Sequence, residues 1–205
     1  HDEYDRPGSG LARRLEVVQA QVRTALDRAP AGAVRVISLC AGQGRDVLDV
    51  VAEHPRRADV RARLVELDAR LSSYAEDRAR ELGLTDQVDV VAGDAALIDQ
   101  YDGMVPADVV LVCGVFGNIS DEDIEATIDA CQQLCQTGAT LIWTRHRDEP
   151  DLVPQICDWF ETRGFEREWV SEPDAGFGVG VHRYVAQPQP LVQGRQLFSF
   201  VRGGV

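Results

Sequence analysis

Glycines and carboxylates follow three apolar segments of the sequence, at points where the strands of an α/β sheet would end. Gly42 and Gly44 let the backbone turn sharply and leave room for a ligand to approach the main chain. A carboxylate such as Glu66 can accept hydrogen bonds from both hydroxyls of a ribose. Asp94 can accept a hydrogen from an adenine amino group, while the next backbone N–H donates to the ring. The spacing therefore predicts a site for an adenosine-containing ligand.

The turn after the first apolar segment separates two kinds of cofactor. A dinucleotide fingerprint needs a third glycine at the position that Val47 occupies. We also expect Asp46 in the first turn of the following helix, where its charge would repel a diphosphate. These residues favour a cofactor that has a ribose but no phosphate and that carries a cationic ammonium and sulfonium. An NAD-dependent oxidoreductase is the alternative enzyme class.

Strands and helices alternate along most of the chain. The apolar patterns predict five strands with helical crossovers, at 34–39, 63–67, 87–92, 107–113 and 139–144. Helices are expected from Leu11 for about five turns and at 46–51, 69–82, 121–135 and 150–163. The tail segments 165–170, 178–186 and 196–201 lack helices between them and should pair as antiparallel strands.

This pattern predicts an α/β fold. We expect a Rossmann-like three-layer sandwich with a mostly parallel sheet of about seven strands, an antiparallel C-terminal edge and an N-terminal helical cap. Residues 1–205 are expected to form one domain, with a loop and cap helix at 1–32 and a cofactor-binding core at 33–205.

The glycine turn resembles a motif of the class I S-adenosylmethionine-dependent methyltransferases. That motif, acid-x-Gly-x-Gly-x-Gly, is here Ser38-Leu39-Cys40-Ala41-Gly42-Gln43-Gly44, and the likeness extends over about residues 34–185. Cys40 replaces the first glycine, and Ser38 stands where the acid is normal. The resemblance implies that S-adenosylmethionine is the cofactor. Because the motif is degraded, a non-catalytic methyltransferase-like binding or scaffold protein is a second alternative.

The resemblance also implies roles for individual residues. Glu66 would hold the ribose hydroxyls, Leu67 would pack on the adenine, and Asp94 with Ala95 would hold the adenine edge. The segment Cys113-Gly114-Val115 would border the methionine part and the methyl group. In place of the missing acid, the ammonium could be held by Ser38, by main-chain carbonyls or by Asp46. The cofactor-binding set is completed by the turn residues Cys40, Ala41, Gly42 and Gly44.

Two residues that follow later strands are candidates for binding or deprotonating the methyl acceptor. His146 could act as a base, since its loop rims the predicted pocket, or it could be a surface histidine at the sheet end. Asn118 could orient a polar acceptor or only form a turn. Tyr4 and Asp5 could close over the site. No long insertion supplies a substrate domain, so we expect a small-molecule acceptor with an oxygen or nitrogen nucleophile.

The composition indicates which classes of binding partner to expect. The net charge is -13, which argues against nucleic acid and anionic membranes because repulsion slows encounter. No stretch is long and apolar enough to span a membrane, and the first residues lack the basic segment followed by an apolar segment that is typical of a signal peptide. Five cysteines suggest reduced thiols in a cytoplasmic protein. Cys131 and Cys135, one helical turn apart, lack partners for a metal, so no metal is expected, and a homodimer stays open.

Overall fold

The computed structural model describes residues 3–201, which contain one sheet of seven strands. The strands are β1 Val34–Leu39, β2 Val60–Glu66, β3 Val88–Ala92, β4 Ala107–Val112, β5 Cys135–Arg145, β6 Phe165–Val170 and β7 Gly178–Tyr184. Their order across the sheet is β3-β2-β1-β4-β5-β7-β6. The first five strands are parallel, and β7 runs antiparallel to both of its neighbours, β5 and β6.

Helices cover both faces of this sheet. They are α1 Gly10–Arg28, α2 Leu48–Glu53, α3 Ala69–Glu81, α4 Asp121–Cys131 and α5 Val153–Glu161. Successive side chains of β1 point to opposite faces of the sheet, as in any strand. Ile37 packs in the core that contains residues of α4 and α5, whereas Val36 packs in the core that contains residues of α1, α2 and α3. The expected three-layer sandwich with an antiparallel strand near the C-terminus is thereby confirmed.

Helix α1 forms the predicted N-terminal cap. The Ser9 hydroxyl accepts a hydrogen bond from the backbone N–H of Ala12, which satisfies one of the free donors at the helix start. Val18, Val22 and Leu26 recur at helical spacing and are buried against the sheet. The helix therefore lies across one face of the sheet and ends before Pro30.

The connections place a switch point in the middle of the sheet. The chain leaves β1 for β2 on one side, and after β3 it returns to β4 on the other side. In open α/β sheets, ligands bind at the carboxyl ends of the strands beside such a point. The loops after β1, β2, β3 and β4 therefore define the region to inspect.

Two element predictions are wrong. The helix expected to reach position 135 ends at Cys131, and Cys135 begins β5, so these two cysteines do not share a helix face. Segment 196–201 is not a strand; it forms only isolated bridges, from Gln196 to Leu97 and from Phe200 to Ile119. A smaller correction concerns Asp46, which precedes α2 because that helix begins at Leu48.

The tail segment 196–201 ties together two loops at the carboxyl edge of the sheet. The backbone N–H of Leu197 donates to the carbonyl of Ala96 over 2.7 Å, and that of Val201 donates to the carbonyl of Asn118 over 3.0 Å. Leu197 and Phe198 are both 2% exposed. The tail is therefore packed into the domain rather than added to the edge of the sheet.

Residues 3–201 contain neither a membrane-spanning helix nor a cluster of metal-binding side chains. No helix there is long and apolar enough to cross a membrane. No group of three or more histidine, cysteine, aspartate and glutamate side chains in that range could hold a metal ion.

Candidate active site

A cavity of about 130 Å³ lies at the carboxyl ends of β1 and β4. Helix α1 and the segment before it form one wall, and the glycine turn and the loop after β4 form the other. Six of the residues predicted to bind a cofactor line it: Cys40, Ala41, Gly42, Asp46, Cys113 and Gly114. Its other lining residues are Tyr4, Arg14, Leu15, Val18, Gln43, Arg45 and Thr144.

The turn after β1 is a compact, hydrogen-bonded loop. The backbone N–H of Gly44 donates to the Ala41 carbonyl, and the N–H of Leu48 donates to the Gly44 carbonyl. Gly44 has φ +71°, and a Cβ there would lie 2.9 Å from side-chain carbons of Leu48 and Leu64. Only glycine fits this position without strain. The turn thus brings the chain directly into α2.

Cys40 occupies the position of the first motif glycine and keeps a glycine-like backbone. Its φ is 54°, in the left-handed region that costs a non-glycine residue on the order of 1 kcal/mol or more. Burial, together with the nearby carboxylates of Glu66 and Asp94, raises the pKa of its thiol to about 12. Cys40 is therefore a neutral thiol at the cavity wall.

Glu66 stands at the end of β2 and fastens the glycine turn to it. One carboxylate oxygen accepts the Gly42 N–H over 2.7 Å, and the other accepts the Asp68 N–H over 2.9 Å. Leu67, beside it, is 64% exposed, which is unusual for a large apolar side chain in so well packed a region. An oriented carboxylate next to an uncovered apolar surface suits a sugar followed by a flat base.

The loop after β3 is joined to the same carboxyl edge. The Gly93 N–H donates to the Glu66 carbonyl, so the two loops touch. The Asp94 carboxylate accepts the Ala96 N–H over 2.9 Å, which fixes its orientation. Ala95 is buried, and its carbonyl accepts the Tyr101 hydroxyl over 2.7 Å. Asp94 and Ala95 therefore lie in a rigid turn beside the predicted ribose position.

The loop after β4 forms the far wall of the cavity. The Gly114 N–H donates to the Thr144 hydroxyl over 2.9 Å, which links this loop to the end of β5. The side chain of Val115 is fully buried in the core and does not line the cavity. Ser38 does not line it either, since it is 1% exposed and its hydroxyl has no hydrogen-bond partner within residues 3–201.

Side chains of opposite charge line the cavity. One carboxylate oxygen of Asp46 is buried without a hydrogen-bond partner among the described residues. Loss of hydration raises the pKa of Asp46 to about 6, against smaller opposing effects of nearby backbone N–H groups and the Arg14 charge. The Arg14 guanidinium, on α1, is 3.3 Å from the Tyr4 hydroxyl. Asp46 is among the residues that the sequence predicts to bind the cofactor, whereas the sequence analysis does not identify Arg14.

The segment before α1 closes over the glycine turn, as expected of Tyr4 and Asp5. The Asp5 carboxylate lies 2.8 Å from the Arg45 guanidinium. The same guanidinium carbon is 5.6 Å from the centre of the Tyr4 ring and 6.0 Å from that of Tyr74, within cation–π range. These contacts hold the segment across the mouth of the cavity.

The two candidate residues for acceptor chemistry lie beside the cavity and not in its lining. The His146 side chain is 41% exposed, and its Nδ1 is 3.3 Å from an Asp148 carboxylate oxygen. The Asn118 amide donates to the Gly114 carbonyl over 2.8 Å, so it stabilises the turn. Their loops are in contact, because a Cβ at Gly117 would lie 3.1 Å from the His146 ring. Both residues lie on loops that adjoin the wall of the cavity at Gly114 and Thr144.

The two arginines near His146 have structural contacts. The Arg145 guanidinium donates to the Phe116 carbonyl. Arg147 pairs with Asp151 over 2.7 Å and also donates to the Ser171 carbonyl. These bonds fix the loop after β5.

Comparisons with known proteins agree with this geometry. Residues 8–158 match the family described as "Putative methyltransferase". No curated protein sequence matched the chain. Among solved structures, an O-methyltransferase family protein from Burkholderia thailandensis has a TM-score of 0.68 at 16% identity, covering 85% of this chain. This chain spans only 56% of that protein.

Two further structures share the fold. Magnesium protoporphyrin IX methyltransferase from Synechocystis PCC 6803, with bound S-adenosylmethionine, has a TM-score of 0.64 at 14% identity, covering 84% of this chain and 80% of its own. The 1,6-didemethyltoxoflavin-N1-methyltransferase of Burkholderia thailandensis has a TM-score of 0.64 at 17% identity, covering 84% and 78%. The shared fold and the family match together confirm the predicted resemblance to the class I S-adenosylmethionine-dependent methyltransferases.

The family described as "Putative methyltransferase" matches residues 8–158, which is most of the chain, so the chain belongs to that family.

Proposed function

We propose that this protein transfers the methyl group of S-adenosylmethionine to an oxygen or nitrogen atom of a small molecule, in the cytoplasm. One observation carries the proposal: the Glu66 carboxylate is held by the glycine turn at the edge of a charged cavity. Each oxygen accepts one backbone N–H and keeps a second lone pair, so the two ribose hydroxyls can each find an acceptor. The ribose would then be fixed beside the turn.

The remaining parts of the cofactor follow from this anchor. The adenine would lie on the exposed face of Leu67, with its edge at Asp94 and Ala95. The amino-acid end would enter the cavity past Gly42, which bonds to Glu66 and also lines the cavity. This leaves the sulfonium near Cys113 and Gly114, at the loop after β4. S-adenosylmethionine supplies an activated methyl group, so the chain must mainly align an acceptor with it.

The acceptor would approach between α1 and the loops after β4 and β5. His146 is half exposed there, and its Nδ1 lies 3.3 Å from both the Asp148 backbone N–H and the Asp148 carboxylate. In the tautomer whose Nδ1–H donates to that carboxylate, Nε2 would take a proton from a hydroxyl or amine. Asn118 would act by shaping the loop. The net charge of -13 supports a small molecule over RNA.

Calorimetric titration with S-adenosylmethionine and with NAD tests the cofactor. We expect binding of the first only; binding of NAD alone would support an oxidoreductase. Production of S-adenosylhomocysteine with a panel of phenols, amines and carboxylic acids tests the reaction. Tight cofactor binding without turnover on any member would favour the alternative of a non-catalytic binding protein, to which the altered residues Ser38 and Cys40 point.

A further inference from the structure

The cavity contains a carboxylate and a guanidinium that are not paired with each other. Asp46 lies before α2 and Arg14 lies on α1, and no ion pair joins either to another side chain in the part of the chain described. A buried carboxylate oxygen without a partner is costly, since neither water nor a donor replaces its hydration. Such a group is normally kept because a ligand completes it.

The arrangement of charges matches an α-amino acid. A zwitterion presents an ammonium and a carboxylate on one carbon. The cavity offers a partner to each: one acid, Asp46, and one arginine, Arg14, that unlike Arg45 is not in an ion pair with a described side chain. Arginine binds carboxylates through two parallel N–H donors, and a carboxylate accepts charge-assisted hydrogen bonds from an ammonium. We infer that Asp46 and Arg14 together hold the amino-acid end of the cofactor, Asp46 binding its ammonium and Arg14 its carboxylate.

This inference rests on the proposed function, and it explains how the site works without the usual acid of the glycine motif. Ser38 occupies that place but is buried away from the cavity, with its hydroxyl facing no donor or acceptor in residues 3–201. Asp46 follows the same turn on its other side and does line the cavity. The acidic function would therefore have moved from the end of β1 to the entry of α2.

Two ligands that differ only at the amino-acid end provide the test. S-adenosylhomocysteine carries the ammonium and carboxylate, whereas 5′-methylthioadenosine lacks both. Calorimetry on the wild type should show tighter binding of the first. Asp46→Asn and Arg14→Gln should each weaken S-adenosylhomocysteine binding by about tenfold to a hundredfold. Both variants should bind 5′-methylthioadenosine as the wild type does.

Matched controls are available on the same elements. Arg13→Gln changes an exposed arginine next to Arg14, and Asp49→Asn changes an aspartate of α2 that pairs with Arg78 outside the cavity. Neither should alter the affinity for either ligand. Circular dichroism and thermal melting would check folding, and Asp46→Asn should melt at a higher temperature than the wild type without ligand, because it removes an unpaired buried charge.

The pH dependence of binding gives an independent measurement. The other titratable groups lining the cavity are Tyr4, Arg14, Cys40, Arg45 and Cys113. Arginine, tyrosine and cysteine ordinarily titrate above pH 8, so a change between pH 7 and pH 5 would report Asp46. With the pKa of Asp46 near 6, wild-type affinity for S-adenosylhomocysteine should fall about tenfold over this range. The affinity of Asp46→Asn should stay constant.

The outcomes separate this inference from the proposed function. If the wild type binds both ligands equally, or if both variants keep full preference for S-adenosylhomocysteine, the assignment of Asp46 and Arg14 is wrong while the adenosine site stands. If neither ligand binds, the proposed function itself fails. Loss of preference in Asp46→Asn alone would overturn the role of Arg14 and leave that guanidinium for an anionic acceptor.

Discussion

Replacing Glu66 with alanine should weaken the binding of S-adenosylmethionine without unfolding the protein. The two carboxylate oxygens are already oriented by the N–H groups of Gly42 and Asp68, at 2.7 and 2.9 Å. The Glu66 side chain therefore does not have to be ordered on binding before it can accept hydrogen bonds from the ribose hydroxyls. Loss of such a charge-assisted bidentate contact costs ~1–3 kcal/mol. That corresponds to a dissociation constant about 5 to 150 times larger.

The same substitution also releases the glycine turn from β2, so the ribose contact must be measured separately. Titrating wild type and Glu66→Ala with S-adenosylhomocysteine and with its 2′-deoxy analogue gives a double-mutant cycle. Removing the 2′-hydroxyl should weaken binding to the wild type and have little effect on the variant. Glu53→Ala, at an exposed carboxylate on α2, is the control and should bind both ligands normally.

An equal penalty for the missing hydroxyl in wild type and variant would show that Glu66 only supports the turn. Unchanged affinity of a folded Glu66→Ala would refute the ribose assignment outright.

Three other predictions concern the acceptor loop and the core. His146→Ala should lower turnover and leave cofactor affinity nearly intact; equal turnover by single-turnover kinetics would remove its role as a base. Burial lowers the pKa of His182 from 6.5 to about 3, so the folded protein resists a proton that the unfolded chain accepts. The stability that this imidazole contributes is fully present above pH 6.5 and should fall by about 2 kcal/mol at pH 5. Urea unfolding of wild type and His182→Gln should show their difference shrinking by that amount, and parallel profiles would contradict a neutral buried imidazole. Gly180→Ala should destabilise the fold by ~1–3 kcal/mol or more, because a Cβ would clash with the buried Trp143 ring. Gly10→Ala, with open space around it, should not, and thermal melting of both variants would measure the difference.

The parts of the site that could be predicted from the sequence are those set by local rules. A buried strand followed by glycines at fixed positions predicts both the turn and the carboxyl edge of the sheet, so the places of Gly42, Gly44 and Glu66 in the fold could be predicted from spacing alone. The place of Asp94 after β3 could be predicted in the same way; the roles of these residues in binding stay predictions. Each of these residues lies within a few positions of a strand end, and the parallel sheet brings the strand ends together.

Arg14 could not be located in this way, because its place in the cavity depends on how α1 crosses the sheet. One signal was present in the sequence. Arg14 is four residues before Val18 and therefore lies on the apolar face of the helix, where an arginine needs a reason. That face meets the glycine turn only in the folded protein.

The two wrong predictions of elements, at the end of α4 and in the tail segment 196–201, arise because local sequence patterns do not show which elements pack together. Ile124, Ile128, Cys131 and Cys135 recur at helical spacing, so the helical pattern runs past the end of α4 although Cys135 begins β5. The tail was misjudged because Leu197 and Phe198 are both buried, although a half-exposed strand would bury only one of two neighbours. The tail lacks a neighbouring strand over most of its length and is held by loops instead.

The hydrogen bonds of the tail segment 196–201 affect the two loops that it joins at the carboxyl edge of the sheet. Its backbone bonds to Ala96 in the loop after β3 and to Asn118 in the loop after β4, so it links the loop predicted to hold the adenine to the loop predicted to face the acceptor. A chain cut short after Arg195 would keep all seven strands but would lose this link. The spacing of these two loops therefore depends on a segment that does not line the cavity.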